Sequence, residues 1–256
     1  MSDYPDRLFP HSNLRWLMSS AERAALLRVL EVAEAPGAIE VGTAYGGCLE
    51  QIRRHAEFVY SIDLLPEIGA RLASGMPNVE FLAGDSKDLI GVALRKCVER
   101  RKPPGFILID GDHRYEGVRS DINAVLQFRP ERPLWVLMHD SSNPECRAGI
   151  ADAAWQSNPC VHSVELDFVM GTLSDDPDFV NMIWGGLAIA LLLPEPRQGA
   201  LKINASGARS QAALYRLSDH YPSLANRLRR WWRVKKKGLD RRLARLKGPP
   251  RRQSQP

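Results

Sequence analysis

The sequence predicts an α/β protein with a doubly wound, mostly parallel sheet of seven strands and helices on both faces. Two observations predict this fold. Short aliphatic segments alternate five times with longer segments of helical periodicity, and the last two aliphatic segments follow each other without a helix between them. Right-handed crossovers make the first five strands parallel. The last two strands are expected to form an antiparallel hairpin at one end of the sheet.

A helix is predicted to precede the first strand, over residues 12–35. Its apolar residues recur at spacings of three and four, Ser19 or Ser20 can cap its first turn, and Pro36 with Gly37 ends it. We therefore expect residues 1–35 to form a helical cap. Such a cap could serve as a lid over a ligand site or pack on the sheet as a structural element.

Five strand–helix units follow the cap, and the first of their helices opens directly from a glycine turn. The five strands are "AIEVG" (38–42), "FVYSID" (58–63), "VEFLAGD" (79–85), "FILID" (106–110) and "LWVLMHD" (134–140). The hairpin comprises "VHSVELDFV" and "FVNMIWGGLAIALLL", joined by the polar loop "MGTLSDDPD". These elements delimit one ligand-binding domain over residues 36–200, followed by a basic, partly helical tail over residues 201–256.

Composition excludes several classes of protein. The chain is 44% hydrophobic and 25% charged, as in ordinary globular proteins. Its four cysteines lie far apart without a CxxC pair, which argues against a zinc ribbon or a disulfide framework. The first residues lack the pattern of a secretory signal, and the longest apolar run, residues 182–193, is too short to span a bilayer. We expect a soluble, cytoplasmic protein.

Acidic residues lie at or near the carboxyl ends of all five parallel strands. In open α/β sheets, ligands bind beyond this edge. One such carboxylate could simply cap the following helix, but four aspartates at equivalent positions favour a shared ligand site. The five residues are Glu40, Asp63, Asp85, Asp110 and Asp140.

The turn after the first strand, "EVGTAYGG", contains Gly42 and Gly46, and absent side chains there let the backbone approach a ligand closely. Asp63 follows Gly42 by 21 residues, at the position of the acid that binds ribose hydroxyls in nucleotide-binding sheets. The dinucleotide fingerprint G-x-G-x-x-G is not met, because its second glycine is replaced by Ala44. This argues against a nicotinamide cofactor.

Glu40, Gly42 and Gly46 match the first motif, E/D-x-G-x-x-x-G, of the class I S-adenosylmethionine-dependent methyltransferases. The sequence resembles this Rossmann-like family over residues 36–195, including the closing hairpin. The resemblance implies that the glycine turn lies against the methionine part of S-adenosylmethionine. It also implies that Asp63 binds the ribose hydroxyls, and that Asp85 with Ser86 flanks the adenine.

Within that superfamily, "IDGDHRYEGVRSDI" and "VLMHD" resemble small bacterial O-methyltransferases related to the macrocin and novobiocin-type sugar enzymes and to cephalosporin hydroxylase-like proteins. This resemblance implies that Asp110, His139 and Asp140 hold Mg²⁺ and that Asp112 is the catalytic base. His139 is a departure, since the sugar enzymes tend to have an acid at that position.

The chemistry of these residues supports the same site independently. Mg²⁺ is commonly held by one or two carboxylates, with water and substrate oxygens completing its octahedron. A cation makes a hydroxyl that it contacts easier to deprotonate, and Asp112 or His113 could accept the proton. His113 could instead cap the following helix, and His139 could be a hydrogen-bonded core histidine.

The C-terminal tail is strongly basic. From Arg227 onward it carries thirteen Lys/Arg and one acid, a charge of +12, so that the remainder of the chain carries −7 within the net +5. Its leucines and Trp231 or Trp232 recur at helical spacings with cations elsewhere, a pattern that suits an anionic membrane surface. Nucleic acid is a less favoured partner. Alternatively, the leucines pack on the domain or in a homo-oligomer.

Together these features predict a metal-assisted, S-adenosylmethionine-dependent O-methyltransferase for a small hydroxylated acceptor, such as a sugar or natural-product hydroxyl. It would be cytoplasmic, with the tail allowing peripheral contact at the inner membrane face. One alternative is a hydroxylase-like or other nucleotide-cofactor enzyme on the same fold. Another is a degenerate methyltransferase domain that serves as a scaffold for membrane or RNA binding by the tail.

Overall fold

A mixed sheet of eight strands forms the centre of the computed structural model, which describes residues 9–10, 12–175 and 179–221. Its strands are β1 (Gly37–Val41), β2 (Phe58–Asp63), β3 (Val79–Ala83), β4 (Pro104–Ile109), β5 (Leu134–His139), β6 (Val161–Val169), β9 (Leu187–Leu192) and β10 (Ile203–Asn204). A separate two-stranded sheet consists of β7 (Thr172–Leu173) and β8 (Ile183–Trp184).

Seven α-helices accompany the sheets in the described part of the chain. They are α1 (Ser20–Ala33), α2 (Gly47–His55), α3 (Pro66–Leu72), α4 (Ser86–Glu99), α5 (Tyr115–Val125), α6 (Pro144–Ala151) and α7 (Ala208–Leu217). Buried side chains of α1, α2 and α3 pack on one face of the sheet, and those of α4, α5 and α6 pack on the other. This arrangement confirms the predicted doubly wound fold.

The strand order is β10-β6-β9-β5-β4-β1-β2-β3. The five strands from β1 to β5 are parallel, and β9 lies antiparallel between β5 and β6. The predicted closing hairpin is therefore confirmed. The predicted number of seven strands is wrong, because β10 adds an eighth strand parallel to β6. With only two residues, β10 has no periodicity that a sequence pattern could reveal.

The first helix begins later than predicted, at residue 20 rather than residue 12. Ser19 is its N-cap: its hydroxyl accepts the backbone N–H of Glu22, while the Glu22 carboxylate accepts the backbone N–H of Ser19. This capping box sets the start of the helix. The preceding segment instead buries Trp16 and Met18 against the same side of the sheet as α1.

The apolar run at residues 182–193 belongs to two different strands, β8 and β9, separated by Gly185 and Gly186. Both glycines have left-handed backbones, with φ of 73° and 86°. They turn the chain back from the small sheet into the main sheet beside β5. Within the residues that the structure describes, no helix is long and apolar enough to cross a membrane.

Candidate active site

A cavity of about 920 Å³ lies at the carboxyl ends of the parallel strands. Nine of the eleven predicted site residues line it, namely Gly42, Asp63, Asp85, Ser86, Asp110, Asp112, His113, His139 and Asp140. Glu40 and Gly46 do not line it. Four of the five strand-end carboxylates predicted from the sequence thus meet in one concave space, as expected for an open α/β sheet.

The glycine turn is shaped by contacts within the protein. A Cβ on Gly42, whose φ is 86°, would lie 2.0 Å from the carbonyl oxygen of Asp110. A Cβ on Gly46 would lie 2.9 Å from the side chain of Leu72. Both glycines therefore allow close packing of the turn against its neighbours, and Gly42 also lines the cavity.

Asp63 is held in place by the backbone around it. Its Oδ2 accepts the N–H groups of Thr43 and Ala44 at 3.0 and 3.1 Å, and its Oδ1 accepts the N–H of Leu65 at 3.0 Å. The end of β2 and the glycine turn are thereby joined through one carboxylate. Oδ1, which accepts one of these three bonds, retains capacity to accept a further bond from a ligand hydroxyl.

Glu40 lies beneath the glycine turn and is fully buried. Burial, together with the negative charges of Asp110 and Asp63, raises the pKa of Glu40 to about 8, although hydrogen bonds with Thr43 and Ser61 oppose the rise. Its Oε1 has no hydrogen-bond partner among the described residues. The side chain is accordingly a neutral acid at neutral pH, placed behind the cavity wall.

Asp85 and Ser86 begin α4 at the far end of the cavity. Asp85 caps the helix by accepting the backbone N–H of Lys87 at 3.2 Å, so the ordinary capping role is present for this strand-end acid. The hydroxyl of Ser86 donates to Oδ1 of buried Asp121 at 2.6 Å. Both predicted residues face the cavity, and Asp121 fixes the rotamer of Ser86.

Three predicted metal ligands converge opposite this end. One ligand atom each of Asp110, His139 and Asp140 lies within 4.8 Å of the other two. His139 Nδ1 is 2.9 Å from Asp110 Oδ1 and 3.8 Å from Asp140 Oδ1. The backbone N–H of Gly185 donates to Asp140 Oδ1 at 2.5 Å. Two carboxylates and an imidazole are a donor set that suits a divalent cation.

Sequence reasoning missed Glu22, which reaches this cluster from α1. Its Oε1 lies 3.1 Å from His139 Nε2 and accepts the backbone N–H of Gly186 at 2.6 Å. The capping-box spacing after Ser19 could have identified Glu22 as a first-turn residue. No local signal places it 117 residues away beside His139.

Part of the chain is similar to a known protein family. Residues 39–141 match the family model described as "Methyltransferase domain". Over these residues the chain is similar to a methyltransferase domain, which agrees with the resemblance inferred from the sequence. No curated protein matches the sequence.

Two solved O-methyltransferase structures are similar to this chain. An O-methyltransferase from Bacillus cereus in complex with SAH is 15% identical, with a TM-score of 0.50 over 74% of this chain and 86% of that one. The O-methyltransferase TomG from Streptomyces achromogenes, in complex with SAM, is 14% identical, with a TM-score of 0.49 over the same shares of the two chains. At these identities, the likeness of the first structure shows the fold.

The electrostatics of the candidate site centre on His139. Burial opposes its protonation, but the charge and hydrogen bond of Asp110 and the hydrogen bond of Glu22 raise the pKa of His139 well above its ordinary value. Burial likewise opposes ionisation of Asp110, yet His139 and His113 lower the pKa of Asp110 to about 2. Burial raises the pKa of Asp140. The cluster therefore concentrates negative charge that a cation or an imidazolium balances.

Asp112 and His113, the two predicted candidates for the base, have different surroundings. Arg114 Nε lies 2.9 and 3.0 Å from the two Asp112 carboxylate oxygens, and its hydrogen bond is the main cause that lowers the pKa of Asp112. His113 Nε2 lies 3.5 Å from both Asp110 Oδ1 and Asp140 Oδ2. The hydrogen bond with Asp110 raises the pKa of His113, although burial opposes the rise.

Aromatic side chains form the wall beside His113. Trp184 makes edge-to-face contacts with His113 and Phe179, with ring centroids 5.8 and 5.6 Å away. All three residues line the cavity, as does Leu17 from the segment before α1. This end of the cavity therefore combines acidic groups with an apolar wall.

Proposed function

We propose that this protein is an S-adenosylmethionine-dependent, divalent-cation-assisted O-methyltransferase that acts on a small hydroxylated acceptor such as a sugar or natural-product hydroxyl. One observation carries the proposal. A single cavity joins the Gly42–Asp63 end, which suits the cofactor, to the cluster of Asp110, His139 and Asp140, which suits a cation and an acceptor. Binding at the two ends would bring a methyl donor and a hydroxyl together.

The residues present fit S-adenosylmethionine. Asp63 offers ribose hydroxyls a carboxylate that three backbone N–H groups hold in position. Gly84, Asp85 and Ser86 continue the same wall toward the place that we assign to the adenine. The cofactor supplies a methyl group on a positively charged sulfur, which an oxygen nucleophile can attack. The protein then has to orient the acceptor oxygen and remove its proton.

The acidic cluster fits a divalent cation, and we propose Mg²⁺ because two of its three protein donors are carboxylates. Such a cation stabilises negative charge on an acceptor oxygen. Asp110 and Asp140 would hold the cation and offset its charge, and the backbone N–H of Gly185 orients Asp140.

His113 is the base that the geometry favours over Asp112. Its ring faces the cavity beside Asp110 and Asp140, whereas the carboxylate of Asp112 is engaged by the guanidinium of Arg114. A carboxylate paired in this way is a weaker proton acceptor. We propose that His113 takes the proton from the acceptor hydroxyl and that Asp112 orients Arg114 and the start of α5.

Two pairs of variants test these assignments. Calorimetry should detect S-adenosylhomocysteine binding that Asp63→Ala weakens strongly, while Asp88→Ala, an exposed control on α4, leaves it unchanged.

His113→Gln should lower turnover by about 100-fold or more, as loss of a general base does. Asp112→Asn should lower turnover by a smaller factor. Absence of S-adenosylhomocysteine binding would refute the cofactor, and equal losses in the two base variants would refute the choice of His113.

The acceptor can be sought directly. Met170, Thr172, Ser174 and Phe179 line the cavity from β7 and the loops around it, at the end where the acceptor would enter. Incubation with methyl-labelled S-adenosylmethionine and a cell extract, followed by identification of the labelled product, should yield a methyl ether of a hydroxylated small molecule. Label transferred to nitrogen or carbon would contradict O-methylation, and full activity with a chelator present would remove the cation from the reaction.

We also propose that the basic segment over residues 224–256 binds an anionic membrane surface. This segment lies outside the described residues, and its sequence pattern of leucines, paired tryptophans and cations supports the proposal. The full-length protein should pellet with phosphatidylserine-containing vesicles and not with neutral ones. Replacement of Trp231 and Trp232 by Ser should weaken this association. Equal binding to both kinds of vesicle would count against an electrostatic attachment.

A further inference from the structure

We infer that Glu22 is a positioning residue for the cation: it orients His139 so that Nδ1 of the ring can serve as a ligand. This inference rests on the cation site of the proposed function. It adds a residue from the N-terminal helix, outside the region matched to the methyltransferase-domain family. It also explains how a histidine can replace an acid at this position of the cluster.

Glu22 is held at three points. Its side chain is 5% exposed, and its Oε2 accepts the backbone N–H of Ser19 at 2.7 Å. Its Oε1 accepts the backbone N–H of Gly186 at 2.6 Å and lies 3.1 Å from His139 Nε2. The carboxylate therefore has little freedom to leave the imidazole. It connects α1, the loop before β9 and the end of β5 through hydrogen bonds.

This contact determines which ring nitrogen is available. A histidine that binds a metal through one nitrogen usually donates the N–H of the other to a carboxylate, which fixes the tautomer and the ring orientation. Glu22 is the carboxylate at Nε2. His139 Nδ1 faces the opposite way, toward Asp110 Oδ1 at 2.9 Å and Asp140 Oδ1 at 3.8 Å. Coordination through Nδ1 keeps the remaining proton on Nε2, where Glu22 accepts it.

The loop after β8 holds both Asp140 and Glu22 through backbone hydrogen bonds. Gly185 N–H donates to Asp140, a proposed ligand, and Gly186 N–H donates to Glu22. A Cβ on Gly185 would lie 2.7 Å from Glu22 Oε1. Two consecutive residues thus hold one ligand and the carboxylate that orients another. A carboxylate that merely capped α1 would not need these contacts with Gly186 and His139.

The test is direct binding of Mn²⁺, followed by electron paramagnetic resonance of the full-length protein. The wild type should bind one Mn²⁺ and show a coupling to a directly bound imidazole nitrogen. Glu22→Gln should weaken Mn²⁺ binding by about 10- to 100-fold, which is typical when such a supporting carboxylate is removed, and should alter the nitrogen coupling. Ser19→Ala is the matched control, because it removes the helix cap and leaves the carboxylate beside His139.

The outcomes separate this inference from the proposed function. Unchanged Mn²⁺ affinity and nitrogen coupling in Glu22→Gln would overturn the inference while leaving the cation site intact. Equal weakening by Ser19→Ala would overturn it as well, because the effect would then come from the helix end. A wild type that does not bind Mn²⁺, or an Asp110→Asn variant that binds it normally, would refute the cation site itself. S-adenosylhomocysteine binding by each variant verifies that the cavity is folded.

Discussion

Replacing Glu40 by Gln should stabilise the protein, and the gain should grow with pH. The Glu40 carboxyl is fully buried, and its pKa of about 8 lies well above its ordinary value of 4.5. The folded state therefore retains a proton that the unfolded chain releases near pH 4.5. Between these two pKa values, folding of the wild type becomes less favourable as the pH rises. Gln has nearly the same shape and carries no charge at any of these pH values.

The size of the effect follows from the difference between the two pKa values. Each pKa unit of that difference that lies below the pH of the measurement changes the free energy of unfolding by about 1.4 kcal/mol. Retention of this proton in the folded state should lower the free energy of unfolding of the wild type by about 3 kcal/mol at pH 7 and by about 1 kcal/mol at pH 5. Glu40→Gln removes this penalty and should be more stable than the wild type by these amounts. The gain in free energy of unfolding should therefore be about 2 kcal/mol larger at pH 7 than at pH 5.

Urea denaturation of both proteins at pH 5, 6, 7 and 8 measures this difference. Glu99→Gln, which changes an exposed carboxyl at the end of α4, is the matched control and should show no comparable trend. A Glu40→Gln variant whose stability relative to the wild type is the same at every pH would refute the assignment of a neutral buried acid. A loss of stability that grows with pH would show that Glu40 is ionised in the folded protein.

Three further predictions concern stability and reactivity. Gly186→Ala should destabilise the protein by about 1 kcal/mol or more, measured by thermal unfolding, because its φ is left-handed and its Cβ would lie 2.7 Å from Ser142 Oγ. Ser19→Ala should cost about 1 kcal/mol, measured in urea, through loss of the cap of α1. Burial raises the pKa of Cys97 to about 12 and also raises that of Cys146. Both thiols should therefore resist a thiol reagent at pH 8 until the protein unfolds. Mass spectrometry of labelled peptides measures this resistance. Rapid labelling of either thiol in the native protein would contradict its burial.

The candidate site was predictable wherever a residue follows a strand. Asp63, Asp110 and Asp140 end β2, β4 and β5 or follow them directly, and parallel strands bring such positions to one edge. Local sequence therefore contains the information that places these residues together. The resemblance to methyltransferases added their proposed roles. The proposed choice of His113 over Asp112 as the base was not predictable, because it depends on the contact between Asp112 and Arg114.

Residues that act across the fold were not predictable in the same way. Glu22 lies 117 residues from His139 in sequence, and Gly186 lies in an apolar run that gives no sign of contact with either. The eighth strand was missed because two residues carry no pattern. In each case the position is set by packing between distant segments rather than by local periodicity.

By itself, the sequence determined the order of strands and helices, the parallel sheet with its antiparallel end, and the row of acids at one edge. Alternating hydrophobicity, turn residues and crossover handedness are local or chiral constraints, so they can be read along the chain. Only the tertiary structure decided the pairing of Asp112 with Arg114, the neutral state of buried Glu40 and the contact between Glu22 and His139. These features depend on burial and on distances between side chains, which exist only after the layers have packed together.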